Sequence, residues 1–457
     1  MNPLSGDLNR RSVIRLGGAG ALTVAGSSVL AGCAGSLDDT GTTDESVTES
    51  DTADATGDAT AAEEGRTIKI GYVSPQTGPL AGFGEADAFV VAAMEAYFAE
   101  NGITIGGARS DVEIIVRDSQ SDSGLAAEAA TALTLEDQVD LILVSSTPDT
   151  TNPVADVAEA NGIPCISTVA PWQPAFFGRG GDPEAPFQWT YHFFWGLEDV
   201  QAVFLDIWSQ VPTNKVAASL WPNDPDGNAW GSTEPTGFPA VIGEQGYQTV
   251  DPGFYANGTQ DFTAQITAFR DAGAEVLLGV PIPPDFTTFW NQAAQQGFRP
   301  KVATIGKALL FPSSLDALGD AGQNLSTEVW WSPNHPFTSS LTGQSAEELA
   351  QAYTDETGAP WTQPIGFVHA LFEVAVAALS EASSADDKEG VVAALAGLSL
   401  DTVVGPLDWT SGPVPNVAKT PLVGGQWRQE GGAYDLVIVS NSEAPEIPTA
   451  GTVEPLA

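Results

Sequence analysis

Ile68-Lys69-Ile70-Gly71-Tyr72-Val73-Ser74 opens the stretch whose pattern decides the fold. A short apolar run of this kind predicts a buried strand over Ile68 to Ser74. An Ala-rich helix follows from Glu85 to Glu100, closed by Asn101-Gly102. The alternation then continues with a strand Val112 to Arg117, a helix Gly124 to Asp137 and a strand Leu141 to Val144. A helix Val154 to Asn161 and a strand Pro164 to Thr168 complete the run. Short strands alternating with helices imply a parallel sheet with right-handed crossovers. After a break the rhythm restarts: helix Val200 to Ser209, strand Val216 to Trp221, helix Pro239 to Gln245 and a strand around Thr249. It runs on through helix Phe262 to Ala272, strand Val276 to Val280, helix Asp285 to Gln296 and strand Val302 to Ile305. The fold class is α/β, twice over. Two aromatic segments, Phe187 to Trp195 and Val329 to Pro333, suit lobe-joining strands beside a cleft.

The chain has 457 residues, too many for one ordinary core. Its formal net charge of −43 argues against binding nucleic acid through a basic face. Two cysteines cannot make a disulfide framework or a multi-thiolate metal site. The acid is spread: outside the first 65 residues, 48 acids face 13 bases. A body so poor in lysine suits a very salty medium, where screening removes repulsion between surface carboxylates.

Residues 1–32 read as an export signal. Arg10-Arg11 is a twin arginine, and the Gly/Ala-rich stretch Leu16 to Ala31 is shorter than the roughly 20 residues a spanning helix needs. Leu30-Ala31-Gly32-Cys33 resembles a lipobox, so Cys33 is expected to carry lipid and hold the protein to the outer face of the cytoplasmic membrane. Residues 33–65 hold ten carboxylates and only two larger aliphatics, Leu37 and Val47, which predicts an acidic, disordered stalk. Cys165, in the apolar run Ile163 to Ile166, reads as a buried, inert thiol.

Enzyme signatures are missing. His192, His335 and His369 are scattered, with no HExxH, and there is no G-x-S-x-G elbow. Gly306-Lys307-Ala308 lacks the partners of a P-loop, and no cofactor is indicated. Asp224-Pro225-Asp226-Gly227-Asn228 has calcium-like spacing but lacks the required Gly and Glu, so it reads as a structural turn. Asn257 and Asn324 head glycosylation triplets of the kind common by chance.

Ile68 to Gly71 followed by Thr77-Gly78-Pro79-Leu80-Ala81-Gly82-Phe83-Gly84 resembles the opening of type I periplasmic binding proteins. The leucine/isoleucine/valine-binding receptors of ABC importers are the near relatives. Asp118 to Asp122, Asn161 to Pro164, Gly258 to Phe262, Gln292 to Phe298 and Val404 to Trp409 follow the family order. The resemblance implies two Rossmann-like lobes joined by three crossover strands, near 189–194, 327–333 and 404–409. Lobe one would be 66–190 plus 333–405, lobe two 194–327 plus 407–440, with a tail at 441–457.

It further implies a monomeric receptor that passes a small-molecule ligand to ABC permease and ATPase subunits; a lipid-anchored sensor of the same fold is the alternative. Hydroxyls after a strand and before a helix make a carboxylate cradle, here Ser146, Thr147, Thr150 and Thr151. The turn Ser167 to Trp172, with Val169 and Trp172, matches the second carboxylate-binding turn of the family. Phe83 matches its aromatic lid and Trp230-Gly231 its lobe-two aromatic pair, with Trp221 a further candidate wall. Where amino-acid receptors place a Glu for the ligand ammonium, this chain has Lys307. Lys307 is therefore expected to face an oxygen anion and reject an ammonium.

Overall fold

A computed structural model describes residues 64 to 456, so the signal, Cys33 and nearly all of the acidic stalk lie outside the described residues. The first seven strands are β1 (Ile68–Ser74), β2 (Ile103–Ile105), β3 (Ala108–Ser110), β4 (Val112–Asp118), β5 (Leu141–Ser145), β6 (Cys165–Thr168) and β7 (Thr190–Phe193). Five more follow: β8 (Val216–Leu220), β9 (Gln248–Val250), β10 (Val276–Gly279), β11 (Val302–Ile305) and β12 (Ser326–Val329). The last are β13 (Ser399–Thr402), β14 (Gly405–Asp408), β15 (Val417–Ala418), β16 (Val423–Glu430) and β17 (Ala433–Ser440).

One sheet runs β15-β7-β6-β5-β1-β4 and is parallel throughout. A second runs β17-β16-β12-β11-β10-β8-β9, parallel except where β16 and β17 close one edge. β5, β6, β10 and β11 are buried at every position, as strands covered by helices on both faces must be. Local signals set the helix ends. The helix Pro148–Asn161 begins on a proline, whose missing N–H costs nothing there, and stops at Gly162 with φ 66°. The helix Pro364–Glu381 is long and apolar enough to cross a membrane, yet it packs inside the first lobe, where Phe367 stacks on Phe193 of β7.

The chain crosses between the lobes after β7, after β12 and after β15. The first two crossings lie at the aromatic segments. The third is later than expected: β14 pairs only with β13, and β15 still belongs to the first sheet, beside β7. Nor do residues 441–456 hang free. Ile447 is buried, the Glu454 N–H donates to Gln426 Oε1 (2.9 Å), and the Leu456 N–H donates to the Lys301 carbonyl (2.8 Å). This segment packs on the second lobe.

Candidate functional site

β5 ends at Ser145, and the next residues turn directly into the helix Pro148–Asn161. Thr147 is the helix N-cap, but its hydroxyl makes no capping bond; it lines a cavity between the lobes instead. The hydroxyls of Ser146, Thr147 and Thr150 are buried without a partner, whereas Thr151 donates to the Ser146 carbonyl (3.0 Å). A buried polar group left unpaired costs about 1–3 kcal/mol. Three such groups at one helix N-terminus point to a partner supplied from outside the chain.

After β6 the chain turns at Val169, whose φ of 68° is unusual for a β-branched residue and brings Val169 and Pro171 onto the cavity wall. Trp172 lies elsewhere. Its indole N–H donates to Glu198 Oε1 (3.1 Å), and Lys419 joins the same carboxylate and Asp199 at 2.7 Å each. Trp172 thus ties its turn to the first crossover rather than walling the cavity.

Aromatic rings close the space. Phe83 lines it and meets Phe311 edge-on, with centroids 4.8 Å apart. Phe194 and Trp195 arrive from the first crossover, Trp330 from the second, and Trp230 from the short helix Pro225–Trp230. The indole N–H groups of Trp195, Trp230 and Trp330 are unpartnered. Trp221 is buried against Phe238, away from the wall. As the lobes stand, the cavity offers about 20 Å³ to water centres, enough for one or two waters.

Lys307 sits on the cavity wall, only 3% exposed, in a left-handed conformation with φ 59°. It is not a free cation. Its ammonium lies 3.0 Å from Asp224 Oδ2 and 2.7 Å from Asp226 Oδ2. Burial alone would lower its pKa, but Asp224, Asp226 and Asp149 outweigh burial and hold it above the usual lysine range. The expected role of Lys307, facing an oxygen anion of the ligand, is corrected here: its charge is already matched by the chain. Asp224 also caps the short helix, accepting from the Gly227 N–H (2.8 Å), and accepts from Asn257 Nδ2 (3.1 Å). The Asp224 turn is therefore structural and a salt-bridge partner at once. Burial opposes ionisation of Asp224, yet Lys307 and these donors hold its pKa below the ordinary range; Asp226, with fewer donors, is pushed up by burial.

Glu328 of β12 completes the acidic wall. Its carboxylate accepts from Thr327 Oγ1 (3.0 Å), and burial lifts its pKa to about 7. Burial likewise lifts Asp149 to about 6, against the pull of Lys307. Asp226, Glu328, Trp195 and Trp330 were not singled out from the sequence as site residues. The aromatic crossover segments carried a signal for the two tryptophans; Asp226 lay in the Asp224 to Asn228 turn, read as structural, and nothing local marked Glu328.

The histidines are structural. His192, His335 and His369 are buried against Ser167, Ser332 and Ser339, and burial drops their pKa values to about 4, 3 and 4. Cys165 is buried and its thiol is pushed up to about 12. Among the described residues no group of three or more His, Cys, Asp or Glu side chains could hold a metal ion.

Residues 67–432 match the family model described as periplasmic binding protein. The chain belongs to the periplasmic binding protein family. This is a family of solute-binding receptors. Solved structures of the same fold include the leucine-binding protein of Thermotoga maritima (18% identity, TM-score 0.65), whose superposition covers 82% of this chain and 99% of that one. An ABC-transporter solute-binding protein of Rhodopseudomonas palustris, in complex with 3,4-dihydroxybenzoic acid, matches at 18% identity and TM-score 0.66, over 84% and 99% of the two chains. The branched-chain amino acid transporter substrate-binding protein of Streptococcus pneumoniae, in complex with isoleucine, matches at 16% and 0.64, over 82% and 99%. No curated protein sequence matches the chain. These likenesses establish the type I periplasmic binding protein fold.

Proposed function

We propose that the chain is a solute receptor of an ABC importer, held by lipid at Cys33 on the outer face of the cytoplasmic membrane. It captures a small polar solute between its lobes by hinge closure. The observation that carries this reading is the buried, unpartnered set Ser146, Thr147 and Thr150 at the N-terminus of the helix Pro148–Asn161, of which Thr147 lines an aromatic-walled cavity. Hydroxyl donors and a helix N-terminus together favour a carboxylate or carbonyl oxygen. The cavity is too small for an amino-acid-sized solute as the lobes stand, so loading requires them to part and close again. The bound structures of similar fold hold an aromatic acid in one case and isoleucine in another, both of which carry a carboxylate.

Mass spectrometry of the solute released from purified protein, followed by calorimetry with that compound, tests the reading. Thr147→Ala should then weaken binding by about 1.5–3 kcal/mol, or roughly ten- to a hundred-fold, as expected for a lost hydrogen bond to a charged group. Unchanged affinity would move the carboxylate site elsewhere. Cys33→Ser should release the protein from membranes or leave it unprocessed, read by fractionation; a variant that partitions like the parent rules out the anchor.

A further inference from the structure

A second group of buried, unpartnered polar atoms lies inside the first lobe, away from the cleft. Arg179 Nη2, Asn152 Oδ1 and Asn416 Oδ1 have no partner among the described residues, and their side chains line one small cavity. They come from separate parts of the chain. Asn152 is on the helix Pro148–Asn161 that carries Thr150, Arg179 is on the turn after the short helix Trp172–Phe176, and Asn416 directly precedes β15. Burial is deep: the Arg179 side chain is 6% exposed and Asn416 is 8% exposed.

The rest of each side chain is committed, which fixes the spare atoms. Arg179 Nε pairs with Asp156 Oδ1 (2.7 Å), its Nη1 donates to Thr190 Oγ1 (3.0 Å), and its Cζ lies 4.1 Å from the Phe187 ring centre. Asn152 Nδ2 donates to the Pro174 carbonyl (3.1 Å), and Asn416 Nδ2 donates to the Phe187 carbonyl (3.0 Å). Carbonyl oxygens only accept, so neither amide can be turned round, and Oδ1 is the atom each has to spare. His192, on the same wall, is satisfied at both nitrogens, by Ser167 Oγ and the Ala170 carbonyl at 2.8 Å each.

This set selects its guest. One N–H needs an acceptor and two amide oxygens need donors. An anion would be repelled by both amide oxygens, and a cation by the guanidinium, whose charge Asp156 already balances. A water supplies an accepting lone pair and two O–H groups. The cavity offers about 10 Å³ to water centres, the room of a single water. We propose that the first lobe binds one structural water here, which accepts from Arg179 Nη2 and donates to Asn152 Oδ1 and Asn416 Oδ1. It joins the helix that follows the hydroxyl loop to the strand that leads into the third crossing.

A crystal structure of the purified protein, at a resolution that shows waters, should hold one water within about 2.5–3.2 Å of all three atoms. A cavity without density, an ion in its place, or a water that leaves out Arg179 or either amide overturns the proposal. Paired substitutions read the same site in solution. Asn152→Ala and Asn152→Leu both lose the bond to the Pro174 carbonyl, so that loss cancels between them. Ala leaves room for water where Oδ1 stood, whereas Leu carries methyl groups into the cavity and strands Arg179 Nη2 and Asn416 Oδ1. Asn152→Leu should therefore melt several degrees below Asn152→Ala in molar potassium chloride. In a dry apolar cavity the order would be reversed, because the larger side chain buries more apolar surface. A Leu variant that melts at or above the Ala variant overturns the proposal, and if neither variant folds, the density in the parent decides.

Discussion

Lys307→Met is expected to cost about 3–5 kcal/mol of folding stability, the range for removing one partner of a buried ion pair. The variant would leave Asp224 and Asp226, each with a side chain only 4% exposed, facing one another around an apolar stem. Neither carboxylate can reach water without disturbing the short helix that Asp224 caps through the Gly227 N–H. The pH dependence has a definite sign. In the parent, Lys307 holds Asp224 below the ordinary carboxylate range despite burial. Without the ammonium, burial and mutual repulsion raise both carboxyls above their unfolded values. A group whose folded pKa is raised stabilises when protonated, and that contribution is lost as pH rises. The deficit of the variant relative to the parent should therefore shrink between pH 8 and pH 5. Denaturant unfolding at the two pH values, in constant salt, measures it. A variant as stable as the parent at pH 8 would show that the cluster is not held by this lysine.

Folding is expected to depend on molar salt. With 48 acids against 13 bases beyond residue 65, the body carries a large unbalanced negative charge. At about 0.1 M salt the Debye length is about 10 Å, comparable to the spacing of neighbouring surface carboxylates, so their repulsion is felt; at about 1 M it falls to about 3 Å. Surface pairs such as Arg109–Asp111 and Arg270–Asp271 are exposed and contribute little in return. The melting temperature should rise on the order of 10 °C or more between these conditions, since several kcal/mol of self-repulsion are removed. Thermal melts across a potassium chloride series give the answer, and a flat profile would remove the salt-adaptation reading.

The alternation of strand and helix was legible because it is a local pattern. Leu141 to Val144 is apolar at each position and becomes β5, buried at each position, and Val302 to Ile305 becomes β11 with the same limits. The hydroxyl loop after β5 was legible for a related reason: in a parallel sheet a strand C-terminus followed by a helix N-terminus brings backbone N–H groups and short polar side chains to one edge. The aromatic runs at Phe187 to Trp195 and Val329 to Pro333 marked the first two crossings, since rings of that size need cover from both lobes. The third crossing was misplaced because β15 is two residues long and too short to print a pattern.

The charge logic of the cleft was decided by tertiary structure alone. Lys307 meets Asp224 across 83 positions of sequence, and a lone lysine after a strand looks the same whether its ammonium is free or held by two carboxylates. Trp172 and Trp230 are equally apolar on paper, yet one is turned aside by Glu198 while the other walls the cavity. Local sequence determines which segments are strands, helices and polar turns, because those depend on neighbours within a few residues. Which charges are matched depends on side chains that only the strand order β11-β10-β8 of the second sheet brings within about 3 Å.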